Sequence, residues 1–153
     1  WIIIIKNIIF NVEIKNKIEN LKYEKWIDKE FFLRKQIANE RAIIHKPLFI
    51  QYKKKLLEFS KVLQYLKKKN NSVKICLVVP PFSEDYLKSF DNYNDITTFN
   101  SFSYEFSKKN NIQFINHSNI FQNDQEYFAD TEHLNINGKK EFSKITFKSC
   151  FKS

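Results

Sequence analysis

Residues 73–79 read Val73-Lys-Ile-Cys-Leu-Val-Val79 and are followed directly by Pro80-Pro81. The run is apolar and β-branched almost without interruption, and the two prolines end it. Continuous rather than alternating hydrophobicity indicates a strand that is buried on both faces. Such burial is typical of a central strand in a parallel sheet.

The segments around this strand have helical periodicity. Apolar residues recur every three or four positions from Leu48 to Leu66, after Pro47, which is tolerated in the first turn of a helix. This amphipathic helix is predicted to end at Asn70-Asn71, because asparagine tolerates the left-handed conformation that terminates helices. A second helix is predicted around Thr98 to Lys109. Its aromatic face, interpreted as core rather than as a sugar platform, consists of Phe99, Phe102 and Phe106.

Four further segments complete the pattern. Mixed charged and apolar residues from Asn11 to Glu40 indicate a helix. Ile112 to Ile115 is predicted to be a short strand, and Asn137 to Ser149 a final helix. The apolar stretch Trp1 to Phe10 is too short to span a bilayer, which needs about 20 residues. It is expected to be a buried helix or strand, or the cut end of a longer segment.

The alternation of helices and strands predicts an α/β sandwich with a parallel sheet and helices on both faces. Ligands bind such sheets at the carboxyl ends of the strands. Two predicted loops leave those ends, from Pro80 to Asn94 and from Asn116 to Asn137. Both are longer than the roughly two to six residues usual for such connections, so any functional site is expected in them.

The composition excludes several function classes. The 153 residues suit a single domain, and one glycine cannot build a dinucleotide-binding fingerprint or a P-loop. The net charge of +9 suggests an acidic partner. Arginine, however, which proteins prefer for phosphate and base recognition, occurs only at Arg34 and Arg41. Nucleic acid is therefore not the expected partner, and the lysine runs at 53–55 and 67–69 are interpreted as solvated helix faces.

The two cysteines, Cys76 and Cys150, are too few and too far apart in sequence to define a metal site or a disulfide framework. Cys76 is interpreted as a buried small hydrophobe, and neither cysteine fixes the redox compartment. The sequence contains no methionine, which favours a fragment of a longer protein.

The second loop carries the residues with the clearest chemistry. Asp130 and His133 lie three residues apart before the last helix, so a single turn brings the carboxylate against one imidazole nitrogen. The other nitrogen would face the cleft, as in the base and orienting partner of a nucleophilic triad. Asn135 is predicted to cap the helix, and Gly138 to allow close packing of its first turn. The loop lacks the two further ligands of a typical metal site, so neither metal nor cofactor is expected.

A longer string around this pair is more specific: Phe128-Ala-Asp130-x-x-His133-Leu-Asn135-x-x-Gly138-x-x-x-Phe142-Ser143. It resembles the last conserved block of the SGNH, or GDSL, hydrolases, especially the branch tied to acyl modification of cell-surface polysaccharides and teichoic acids. The segment from Lys74 to Pro81 also looks like that family's strand running into a proline-bearing loop. The resemblance implies a three-layer α/β/α flavodoxin-like sandwich that acts on ester bonds. It also implies that His133 is the general base and Asp130 its orienting partner.

The family's nucleophile is a serine in a Gly-Asp-Ser block, and this sequence contains no such block. Residues 1–153 are therefore expected to be the C-terminal portion of one SGNH-like domain, and not a competent esterase alone. Ser83 is interpreted as a turn or cap residue, since nothing around it resembles a nucleophile turn. His45 and His117 are interpreted as surface or loop histidines.

Two functions are open from the sequence. The first is a serine esterase or O-acyltransferase that acts on an acylated carbohydrate or another small ester, for which the resemblance favours the bacterial envelope over the cytoplasm. The second is a non-catalytic truncated domain, or a basic module that binds anionic glycan or nucleic acid, favoured by the charge of +9 and the missing nucleophile. Asn39 and Arg41 fit either a cleft or a helix-end hydrogen bond. The sequence does not define the acyl group, the acceptor or the oligomeric state.

Overall fold

The computed structural model describes residues 2–6, 25–90 and 95–151. In chain order these contain strand β1 (Ile2–Lys6), helix α1 (Phe31–Lys69), strand β2 (Lys74–Val79), helices α2 (Glu84–Phe90) and α3 (Asp95–Lys109), strand β3 (Gln113–Asn116) and helix α4 (Ile136–Phe151). Short 3-10 helices lie at Trp26–Asp28 and Gln125–Tyr127. The helix predicted from Asn11 to Glu40 is present from Phe31 onward, and its part before residue 25 lies outside the described residues.

β2 is the central strand of a three-stranded sheet. It pairs in parallel with β3, with Cys76 opposite Gln113 and Val79 opposite Asn116. It pairs antiparallel with β1, where Ile2 lies opposite Val78. The predicted parallel pairing is therefore confirmed for β2 and β3, while the opening apolar stretch supplies an antiparallel strand. An antiparallel edge strand beside a parallel pair is common in mixed sheets.

Both faces of β2 are buried, as its continuous apolar sequence predicts. On one face, Ile75, Leu77 and Val79 pack against helices α1 and α3. The packing residues are Tyr52, Leu56 and Leu63 of α1 and Phe99 and Phe106 of α3. On the other face, Cys76 and Val78 belong to a second cluster with Trp26, Phe121, Phe128, Leu134, Phe142 and Cys150. The mixed α/β class is thus confirmed, and so is the aromatic face of α3 as part of the core.

Helix α1 continues through Pro47, where the sequence predicts that a new helix starts. Pro47 lies inside α1 and not in a first turn, so that prediction is wrong. An interior proline costs roughly 3 kcal/mol, and α1 continues through it because residues on both sides are packed. Ala38 and Ala42 are buried before the proline, and Tyr52 and Leu56 after it. No helix within the described ranges combines the length and the apolar character needed to cross a membrane.

α1 ends at Asn70, as predicted, but by a different mechanism. Asn70 is extended, with φ −148°, and its Oδ1 accepts hydrogen bonds from the backbone N–H and the hydroxyl of Ser72. The left-handed conformation expected at this position occurs instead at Asn111, two residues after the end of α3, where φ is 49°. Asparagine therefore ends two helices in two ways.

The loop predicted from Pro80 to Asn94 contains the short helix α2, so a continuous loop is wrong. α2 forms because Tyr86 and Phe90 share a face that packs on Ala42 of α1. Ser83 caps it, since the Ser83 Oγ accepts the N–H of Tyr86 at 3.3 Å. The interpretation of Ser83 as a cap residue is confirmed.

Cys76 and Cys150 form a disulfide, with their Cα atoms 5.9 Å apart. The expectation that these two cysteines are too far apart in sequence to define a disulfide framework is therefore wrong, whereas Cys76 is buried, as predicted. The sequence separation of 74 residues is no obstacle, because the end of α4 packs against the face of β2 that carries Cys76. The bond fixes the last turn of α4 to the central strand.

Candidate active site

Asp130 and His133 contact each other in the loop between β3 and α4. The Asp130 Oδ1 accepts the backbone N–H groups of Glu132 at 2.9 Å and His133 at 2.8 Å, which closes a tight turn. The same turn brings the His133 Nδ1 to 2.8 Å from the Asp130 Oδ2 and 3.0 Å from Oδ1. The structure thus brings the two predicted site residues together, and we call them the Asp130–His133 dyad.

The charge state of Asp130 defines the tautomer of His133. Burial raises the pKa of the Asp130 carboxyl. The hydrogen bonds from the backbone N–H of Glu132 and from the ring and backbone N–H of His133 lower it by more, so the pKa lies below its usual value. A charged carboxylate accepts only, so the His133 Nδ1 carries the hydrogen. The His133 Nε2, which has no hydrogen-bond partner among the described residues, then presents a lone pair. A side chain 66% exposed makes that nitrogen accessible.

Asn135 and Gly138 hold the loop against α4, as predicted. The Asn135 Oδ1 accepts the N–H groups of Asn137 at 3.1 Å and Gly138 at 3.0 Å, which caps α4. A Cβ atom at position 138 would lie 2.3 Å from the backbone oxygen of Tyr127, so only glycine fits there. These contacts give the dyad a rigid support two residues after His133.

His133 of the dyad borders a cleft of about 650 Å³ at the carboxyl end of β2. The described residues that line it come from α1, from the last residue of β2 and the segment between β2 and α2, from α2 and α3, and from the loop before α4 and its first turns. Its titratable lining residues are His45, Tyr52, Lys55, Tyr86, Glu132, His133 and Lys139. The position matches the expectation that a site lies where the strands end.

His45 lies in this cleft, which corrects its interpretation as a surface or loop histidine. It is a residue of α1, and its Nδ1 is 2.7 Å from the Tyr86 hydroxyl and 3.5 Å from the Glu132 Oε2. Burial, and next the charge of Glu132, raise the pKa of Tyr86, so its phenol stays neutral. The Thr131 hydroxyl donates to the Glu132 Oε2 at 3.0 Å. Two imidazoles, each beside a carboxylate, therefore line one cleft, and no sequence spacing could have revealed the second.

The other candidate residues are not part of the cleft lining. His117 lies in the loop after β3 but is buried, with its ring 5.9 Å from that of Phe142, and burial lowers its pKa so that it is neutral. Ser83 is fully buried, and its Oγ caps α2. Asn39 and Arg41 are exposed on α1. Within the described ranges, no group of three or more His, Cys, Asp or Glu side chains is arranged to hold a metal ion.

Comparison with known proteins found no matching family model, no matching curated protein and no matching solved structure. The chemistry of the cleft is therefore the basis for assigning a function.

Proposed function

We propose that this chain carries the base half of the active site of an SGNH-type serine esterase or O-acyltransferase. The observation that carries the proposal is the His133 Nδ1 held at 2.8 Å from the Asp130 carboxylate while the ring borders the cleft. This is the arrangement of a base and its orienting partner in nucleophilic catalysis. The string from Phe128 to Ser143, which resembles the last block of that family, supports the same assignment.

In the proposed reaction, the His133 Nε2 takes the proton of a serine hydroxyl as the serine oxygen attacks the carbonyl carbon of the ester. The imidazolium then gives this proton to the departing alcohol, and an acyl-serine remains. In the second half, His133 takes a proton from water or an acceptor hydroxyl as its oxygen attacks the acyl carbon. The bond from that carbon to the serine oxygen then breaks, and the imidazolium returns the proton to the serine. Asp130 stays ionised throughout, because its lowered pKa opposes protonation, and it stabilises the imidazolium.

The proposal includes a three-layer α/β/α flavodoxin-like sandwich for the complete domain. Helices α1 and α3 on one face of β2, α4 on the other, and the parallel pairing with β3 support it. The serine belongs, in this proposal, to a Gly-Asp-Ser segment outside residues 1–153, because the only glycine in the sequence is Gly138. Residues 1–153 would then be the C-terminal portion of one domain.

An acylated carbohydrate or another small ester is the proposed substrate, and the bacterial envelope the proposed location. The Cys76–Cys150 disulfide supports that location, because disulfides persist in oxidising compartments.

The proposal is tested by translating, in frame, the coding DNA that precedes the codon for Trp1. We expect an apolar, strand-like run that ends in Gly-Asp-Ser, because the dyad needs a nucleophile. A reading frame that begins without one would contradict the esterase assignment. It would favour the alternative, a non-catalytic domain that binds an anionic glycan through its charge of +9.

A further inference from the structure

The cleft beside His133 has an apolar interior that proton transfer does not require. Its deep lining includes Val79, Pro81, Phe82, Phe99, Leu134 and Phe142. Five of these, Val79, Pro81, Phe99, Leu134 and Phe142, are at most 8% exposed. The volume of about 650 Å³ lies within the range of small-molecule pockets, roughly 300–1,000 Å³. Such a surface favours an apolar group, because binding removes both surfaces from water.

The two tyrosine hydroxyls of the cleft lining already have hydrogen-bond partners. The Tyr86 hydroxyl bonds to His45, and the Tyr52 hydroxyl donates to the backbone oxygen of Thr98 at 3.2 Å. A sugar ring would therefore lose hydrogen bonds to water on entering the interior and regain few. An acetyl group would cover little of the apolar lining.

The charged groups at the mouth favour an electron-rich end group. Lys55 and Lys139 are exposed residues of the lining. Neither lysine forms an ion pair with another described residue. The only carboxylate among the described lining residues is Glu132. Its Oε2 accepts a hydrogen bond from the Thr131 hydroxyl and lies 3.5 Å from the His45 Nδ1.

From these contacts we infer that the cleft binds an acyl chain of medium length, with its carbonyl or carboxylate end at the mouth beside His133. The inference rests on the proposed esterase function, because that function identifies the bound apolar group as an acyl chain. The apolar interior supplies the chain-length preference, and the lysines supply the orientation.

The test measures the dissociation constants of butanoate and octanoate for the full-length protein by calorimetry. Octanoate has four more methylene groups, and each buried methylene improves binding about fourfold. We therefore expect octanoate to bind about two hundredfold more tightly than butanoate. Octylamine, which has a similar chain and the opposite charge, is expected to bind more weakly than octanoate, because Lys55 and Lys139 repel it.

Leu48 and Leu57 provide a matched pair of variants. Both lie on α1 and are 50% and 57% exposed, so replacing either leaves the core intact, but only Leu48 lines the cleft. Leu48→Asn is expected to weaken octanoate binding about tenfold, and Leu57→Asn to leave it unchanged. Equal dissociation constants for butanoate and octanoate, or equal effects of the two variants, would overturn the inference. These experiments measure binding, whereas the esterase proposal is tested by ester turnover. A failure of the binding inference is therefore distinguishable from a failure of the esterase proposal.

Discussion

Replacing His133 with alanine in the full-length protein is expected to lower the rate of ester turnover by about 10⁴-fold or more. The loss should fall on kcat and not on KM, because His133 accepts the serine proton only as the transition state forms. Steady-state hydrolysis of an activated ester, measured for both proteins at the same pH, gives this ratio. His133 lies in an exposed part of the loop, so its removal leaves the core packing unchanged.

Lys144→Ala is the matched control for this change. Lys144 pairs with Glu141 at 3.2 Å, three residues earlier on the exposed face of α4 and outside the cleft lining. Like His133→Ala, this variant removes the partner of a half-buried carboxylate at an i, i+3 spacing. Its turnover should equal that of the wild type. A rate for His133→Ala within tenfold of wild type would contradict the assignment of His133 as the base.

Replacing Cys150 with alanine is expected to lower the free energy of unfolding by roughly 2–4 kcal/mol. The disulfide closes a loop of 74 residues, and a long closed loop restricts the unfolded chain strongly. Alanine is the appropriate replacement because Cys150 is 4% exposed, and a serine hydroxyl there would be buried. Urea unfolding, monitored by circular dichroism, measures the difference.

Reductant provides the control for the disulfide. It should shift the unfolding midpoint of the wild-type protein toward that of Cys150→Ala, and leave the variant itself unchanged. Identical midpoints for oxidised and reduced wild-type protein would show that the bond does not form or does not stabilise the fold. The consequence for the site is indirect, since the bond anchors the far end of the helix that follows the dyad.

The parts of the fold that were predictable from sequence are those set by local patterns. The apolar run of β2 required burial on both faces, whatever covered it. The Asp130–His133 dyad was predictable because three residues separate the two side chains, so one turn suffices to join them. Asn135 and Gly138 were predictable for the same reason, since a helix cap and its tight first turn are local structures.

The parts that were not predictable depend on contacts distant in sequence. His45 enters the cleft because packing on both sides of Pro47 keeps α1 continuous, and a local proline rule predicts the opposite. Cys76 and Cys150 meet only once α4 is packed on β2. The short helix α2 has too few residues for a clear periodic pattern, and its stability comes from the contact of Tyr86 and Phe90 with α1.

The most direct measurement of the central claim is covalent labelling of the full-length protein with a fluorophosphonate, which reacts with a serine activated by a neighbouring base. Peptide mapping by mass spectrometry identifies the labelled residue. We expect one labelled serine, in a Gly-Asp-Ser segment, and loss of its labelling in His133→Ala but not in Lys144→Ala. Absence of labelling in the wild-type protein, or labelling that persists in His133→Ala, would contradict the claim that the Asp130–His133 dyad is the base half of a serine esterase.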